Sequence, residues 1–157
     1  MPDLTYLKPQ SLRETLSLLA EYQGRARPLA GGTDLLVKLK KGREVGPVLL
    51  QIADLAELNY LKLGPGGELL IGAATRLAQI EQSPLVRSRF SLLGESCALM
   101  ASPTVRAMAT VAGNLCNAAP SADLVPALIV LGAKARIESL RWQQSVPVED
   151  LFLGPGK

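Results

Sequence analysis

Apolar and polar positions alternate along the chain in short blocks whose period changes several times. Residues 4–8 (L-T-Y-L-K) read as a short strand closed by Pro9. Leu12, Leu16, Leu19 and Ala20, joined by Thr15 and Leu18, then recur at helical spacing to about Tyr22. Ser11 is placed to cap this helix with Glu14 as its capping-box partner, and Gly24 ends it. Residues 27–30 finish a strand at Gly31-Gly32, after which Thr33 or Asp34 caps a helix to about Lys40. Lys38, Lys40 and Lys41 fall at the end of that helix, where its dipole favours cations. Residues 48–52 form a continuous apolar run of strand length, the pattern of a buried strand. The order β-α-β-α-β predicts a small α/β lobe over residues 1–55.

Residues 56–157 predict a second, larger α+β lobe. Short strands at 60–63 and 69–71 flank the turn Gly64-Pro65-Gly66-Gly67. Helices are expected over 76–82 and over 84–100, the second with Pro84 in its first turn. A small-residue loop follows, then a helix over about 123–131, a strand pair at 134–139 and 142–146, and a final helical turn at 148–152.

Two stretches break the pattern because they hold small and hydrogen-bonding residues where a core element would carry bulk. One is Ala30-Gly31-Gly32-Thr33-Asp34, bounded by Leu29 and Leu35; the other runs from Thr110 to Asp123, T-V-A-G-N-L-C-N-A-A-P-S-A-D. Both read as loops that let a ligand press against main chain, and we expect them to hold one ligand between them. In the first, two glycines permit positive φ and present no Cβ, so successive N–H groups can converge on an anion such as a pyrophosphate. The helix start beyond adds open donors, and Thr33 a hydroxyl. A tight turn followed by a capped helix accounts for the same residues. Neither G-x-G-x-x-G nor G-x-x-x-x-G-K-[ST] occurs, which excludes a Rossmann fingerprint and a P-loop. In the second, Ala112, Gly113 and Asn114 again allow close approach, with Thr110 and Asn114 as polar side chains. Asp123 is placed either to accept from sugar or ribityl hydroxyls or to cap the helix that carries Pro126. Asn117 and Ser121 are lesser candidates. Cys116 reads as a small buried residue, Trp142 as packing, and Arg106 as a surface or interlobe charge.

Composition narrows the chemistry. The 157 residues contain no histidine, which removes Ser-His-Asp and Cys-His catalysis and any His-ligated metal. Two cysteines, Cys97 and Cys116, are too few for a disulfide scaffold or an iron–sulfur cluster held by this chain alone. A net charge of +3, scattered along the chain, gives no nucleic-acid signature. The longest apolar run, residues 124–133, is interrupted by Pro126 and Gly132 and is too short to span a membrane. The first residues lack a basic start and an apolar signal core, so a cytoplasmic protein is expected. Redox or group-transfer chemistry would then rest on a cofactor.

At A-G-G-T-D-L (30–35), I-G-A-A-T (71–75), V-R-A-M-A-T (105–110) and T-V-A-G-N-L (110–115), with Asp123 following, the chain resembles the medium, FAD-binding subunits of the molybdenum hydroxylases, the xanthine dehydrogenase and aerobic carbon monoxide dehydrogenase group. The resemblance runs from L-T-Y-L-K-P at 4–9 to F-L-G-P-G-K at 152–157. It implies an α+β, two-lobed FAD-binding domain of the vanillyl-alcohol-oxidase (PCMH) type. The segment Leu29 to Leu35 would then lie on the FAD pyrophosphate, and Thr110, Ala112, Gly113 and Asn114 would form a second wall. Asp123 would contact the cofactor, and Gly72 and Thr75 would stand near the flavin. No side chain would act as acid, base or nucleophile.

The implied partners are a large molybdenum-cofactor subunit and a small 2Fe–2S subunit, with NAD or a quinone as electron acceptor and no metal in this chain. Two departures stand out. The family reads G-G-N where this chain has Ala112-Gly113-Asn114, which would strain a position needing positive φ. Family members also continue past F-L-G-P-G-K, so a chain stopping there would leave part of the flavin face open. The competing expectation is an interaction subunit that no longer binds FAD; a self-contained flavin oxidase fits less well.

Overall fold

The computed structural model describes residues 4–42, 46–119 and 122–152. Contacts divide the chain into two compact units, Met1–Thr75 and Arg76–Lys157. The hairpin at 60–71, expected to open the second lobe after residue 55, belongs with the first unit.

The first unit is built on a three-stranded parallel sheet. Strand β1 (Thr5–Leu7) leads through helix α1 (Leu12–Glu21) to β2 (Ala26–Leu29), and α2 (Leu35–Lys40) leads to β3 (Val48–Gln51). The strand order is β1-β3-β2, with β3 paired in parallel to both neighbours. The strand period of two divides β3 between opposite faces. Val48 and Leu50 pack with Ala26 under Leu18 and Leu19 of α1 and its C-cap Tyr22, whereas Leu49 packs with Leu29 under Leu35 and Leu39 of α2. Burial on both faces is why β3 reads as an unbroken apolar run. Ser11 Oγ accepts from the Glu14 N–H at 3.1 Å, as expected of the cap. The Glu14 carboxylate, however, accepts from the Gln10 N–H rather than from Ser11. After a short 3-10 turn (Ala56–Leu58), strands β4 (Leu61–Leu63) and β5 (Leu69–Ile71) form an antiparallel hairpin.

The second unit is mainly helical: α3 (Leu77–Gln82), α4 (Pro84–Arg89), α5 (Ser91–Leu99), α6 (Pro103–Arg106), α7 (Val111–Asn117) and α8 (Leu124–Val130). An antiparallel ribbon of β6 (Lys134–Glu138) and β7 (Gln143–Pro147) follows, then a 3-10 turn (Val148–Leu151). Leu77, Ile80, Val86, Leu93, Cys97 and Leu124 are buried at 1 % exposure or less and form its core.

Three expectations are corrected here. The single helix over 84–100 is two, because Phe90 takes a non-helical backbone (φ −138, ψ 45) and its carbonyl accepts from Leu93 and Gly94 to start α5. Arg106, expected as a surface or interlobe charge, is buried within the second unit, with Nε 2.8 Å from Oε2 of Glu81 in the same unit. Trp142 does not pack; it is 53 % exposed.

Candidate functional site

The first candidate stretch sits between β2 and α2, and its backbone explains its glycine. Gly32 has φ +71, and a Cβ there would lie 3.0 Å from Leu36 Cδ1 and 3.1 Å from Leu29 Cδ1. The Gly32 carbonyl accepts from Leu36 N at 3.0 Å, which winds the chain into α2. Among the described residues, no backbone N–H from Ala30 to Leu35 donates a hydrogen bond to protein. Asp34 occupies the N-cap position of α2, but its side chain makes no cap bond, and Thr33 makes none either. The expected cap is therefore missing. With six residues, α2 is too short to add much dipole, so the open donors of the loop itself are its asset for an anion.

Gly72 and Thr75 lie in the turn after β5, and both have structural work of their own. Gly72 is buried, its N–H donates to Tyr60 O at 2.8 Å, and a Cβ would come within 2.2 Å of Leu58 O. Thr75 is fully buried, and its hydroxyl donates to Tyr60 O at 2.8 Å. Those contacts account for the two residue types without a ligand.

In the second unit the small-residue stretch, expected as a loop, contains α7. Thr110 makes this helix possible: its extended backbone ends the preceding turn, and its Oγ1 accepts from Gly113 N at 3.1 Å. The Asn114 N–H donates to Thr110 O at 3.0 Å. Of its seven residues only Ala112 and Leu115 are strong helix formers, so the segment reads as a loop, and the Thr110 cap is what starts its two turns. Ala112 lies inside the helix and outside the positive-φ set, so its methyl meets no backbone strain. Ala118 closes α7 in the left-handed region (φ 46). Asn117 is the last residue of α7, and Ser121 lies outside the described residues. Asp123 precedes α8 at the N-cap position, but its carboxylate makes no cap bond and is exposed.

Asn114 carries the one anomaly. Its Oδ1 is buried and has no hydrogen-bond partner among the described residues. Leaving such an acceptor unpaired costs about 1–3 kcal/mol. A ligand O–H or N–H is what this atom lacks.

The two thiols differ. Cys97 is fully buried, and its pKa is pushed up to about 12, first by burial and then by Glu81, against a smaller opposing effect of Arg106. Cys116, expected to be buried, is exposed as a residue on α7, although partial burial of its thiol still raises the pKa above the usual value. A thiol reagent at pH 8 should therefore label Cys116 in the native chain and reach Cys97 only after denaturant is added. Two fast thiols in the native state would contradict the packing of α5. The linkage has a definite sign. The folded state keeps the Cys97 proton that the unfolded state releases above the ordinary value of 9.0, so this contribution is full below pH 9 and fades toward pH 12.

Among the described residues there is no cluster of metal-ligating side chains, and no helix is long and apolar enough to cross a membrane. The sequence is 34 % identical over 153 residues to the xanthine dehydrogenase FAD-binding subunit of Escherichia coli O157:H7, a match covering 98 % of this chain and 52 % of the relative. It is 36 % identical over 155 residues to the glyceraldehyde dehydrogenase medium chain of Sulfolobus acidocaldarius, covering 98 % of this chain and 54 % of that one. The fold matches a chain of carbon monoxide dehydrogenase from Hydrogenophaga pseudoflava with a TM-score of 0.92 at 30 % identity, over 99 % of this chain and 54 % of the other. The chain thus spans about half the length of the curated relatives it matches. Residues 2–157 match the family described as the FAD binding domain in molybdopterin dehydrogenase, and the chain belongs to that family.

Proposed function

We propose that this chain binds FAD and serves as the electron-transfer flavoprotein part of a molybdenum-dependent dehydrogenase. The observation that carries the reading is the buried, unpartnered Oδ1 of Asn114. The cofactor presents ribityl and ribose hydroxyls and ring N–H groups, all donors that suit this acceptor. The open N–H groups of residues 30–35, on a turn whose positive φ Gly32 supplies, suit its pyrophosphate. These residues fit the group. Thr110 and Gly113 support Asn114 from within α7, and Asp123 offers a carboxylate with no cap bond to a sugar hydroxyl. Gly72 and Thr75 shape the turn after β5 and act on the cofactor only through that turn.

When bound, the flavin supplies the one- and two-electron chemistry. The chain's residues bind and orient it, and none acts as acid, base or nucleophile. Electrons would arrive from iron–sulfur centres of a small partner subunit, fed by a molybdenum-cofactor subunit, and leave to an acceptor such as NAD or a quinone. A cytoplasmic location fits this role. The alternative of a subunit that has lost FAD loses one of its two supports, since Ala112 sits unstrained in α7.

Titration of the purified chain with FAD, followed by visible absorption, tests the reading. Saturable uptake is expected; failure to take up FAD, alone or with the partner subunits, would sink it. The Asn114→Ala substitution sharpens the test. It should weaken FAD binding by about 10- to 100-fold, the equivalent of one lost buried hydrogen bond, without lowering the melting temperature of the cofactor-free chain. An ordinary core asparagine would show the reverse.

A further inference from the structure

Arg106 is buried, yet it stands outside the cofactor contacts proposed above. All three guanidinium nitrogens donate hydrogen bonds. Nε and Nη2 donate to the two carboxylate oxygens of Glu81 at 2.8 and 3.2 Å, and Nη1 donates to the carbonyls of Met100 and Ala101 at 2.8 and 3.1 Å. Ala101 is itself held at φ +45, a conformation that a non-glycine residue keeps only under constraint. One side chain thus ties the end of α6 to α3 and to the chain just after α5.

Arg106 ends α6, a four-residue helix that has no stability of its own. Three residues later the chain reaches Ala109, and then Thr110. Along that path Ala109 N donates to Val105 O at 2.8 Å, and Leu77 N donates to Ala109 O at 2.9 Å. Arg76 and Thr110 form an isolated antiparallel bridge. Helix α3 therefore grips the path at two points, at Arg106 through Glu81 and at Ala109–Thr110 through its own first turn. Thr110 then fixes Gly113 and Asn114 through its hydroxyl and its carbonyl.

From this continuous set of bonds we infer that Arg106 is a positioning residue for the cofactor site, with Glu81 as its anchor. The pair sets the place from which α7 presents Asn114 Oδ1. The inference rests on the reading that Asn114 faces FAD. A binding group must be held within about 0.5 Å by residues that are themselves locked, and a buried bidentate guanidinium with two further carbonyl bonds supplies such a lock.

The test uses Arg106→Lys. Lysine keeps a cation near Glu81, but its single ammonium cannot hold the carboxylate and both carbonyls in one rigid fork. FAD affinity would be measured by flavin fluorescence in conditions where circular dichroism shows the variant folded, and visible circular dichroism would report the setting of the bound flavin. We expect affinity about 10-fold weaker, the size of one charged hydrogen bond, with an altered visible spectrum. In an Asn114→Ala background the loss should largely vanish, because both changes act at one atom; in a Gly32→Ala background it should persist in full. Unchanged affinity and spectrum, or an equal loss in both backgrounds, would overturn the proposal. Should Arg106→Lys not fold, Glu81→Gln takes its place in the same measurements, with the same results expected and the same results overturning the proposal. Absence of FAD uptake by the wild-type chain would instead overturn the binding reading itself, and the proposal with it.

Discussion

Replacement of Gly72 by alanine is expected to destabilise the chain by about 3 kcal/mol, the upper end of the usual range when a buried site must move its backbone. The new methyl would sit 2.2 Å from Leu58 O, 2.6 Å from Leu58 C and 2.8 Å from Tyr60 N, all main-chain atoms that cannot swing aside. Their positions are pinned further. Leu58 O accepts from Ala74 N at 2.7 Å, and Tyr60 O accepts from Gly72 N and from the Thr75 hydroxyl, each at 2.8 Å. Relief of the clash would break part of this set inside a turn whose Thr75 is fully buried. At about 2–4 °C per kcal/mol for a chain of this size, the melting temperature should fall by roughly 10 °C. Gly24→Ala provides the control: that glycine has φ +83 but nothing within 4 Å, so only the strain of about 1 kcal/mol applies. Equal melts for the two variants would show that the turn yields and that Gly72 is not fixed by packing.

Gly72 also shows where reading the sequence stops. Its motif, I-G-A-A-T, is legible as a marked strand end, and the resemblance points it toward the flavin. The contact that demands glycine comes from Leu58, which no local pattern connects to it. Elements with a strong period are legible throughout. The amphipathic stripe of α1, the apolar run of β3 and the turn Gly64-Pro65-Gly66-Gly67 lie where the sequence implies. The short helices α2, α3 and α8 also lie where the sequence implies, but α6 and α7 do not, because their signals are caps rather than stripes. Helix α7 hides among small residues because its start depends on one hydroxyl, that of Thr110. Arg106 reads as a surface or interlobe charge because nothing near it in sequence announces Glu81, which lies 25 residues earlier. Both candidate stretches are legible as special, by their lack of bulk. What the sequence lacks is a reason to prefer a ligand over a turn, and the unpaired Oδ1 of Asn114 supplies one that only the folded packing reveals.

The second large effect is expected at Gly32. Valine there should lower FAD affinity by on the order of 100-fold, equivalent to about 2.7 kcal/mol, together with a stability loss of about 2 kcal/mol. The backbone conformation, φ +71, is one that branched side chains rarely adopt, and even a single Cβ would press on Leu36 and Leu29 at 3.0–3.1 Å. The loop can escape the strain only by turning its peptide planes, and the N–H groups from Ala30 to Leu35 are the donors that those planes aim. A cradle of this kind depends on direction, since each N–H must point at one anion, so a modest rotation loses several bonds at once. Gly42→Ala separates strain from site. Gly42 follows α2 with φ +68 and nothing within 4 Å, so it carries similar backbone strain at the far end of the helix. That variant should lose about 1 kcal/mol of stability and keep its FAD affinity. If Gly32→Val and Gly42→Ala bind FAD equally well, the loop at residues 30–35 is a tight turn and no phosphate cradle.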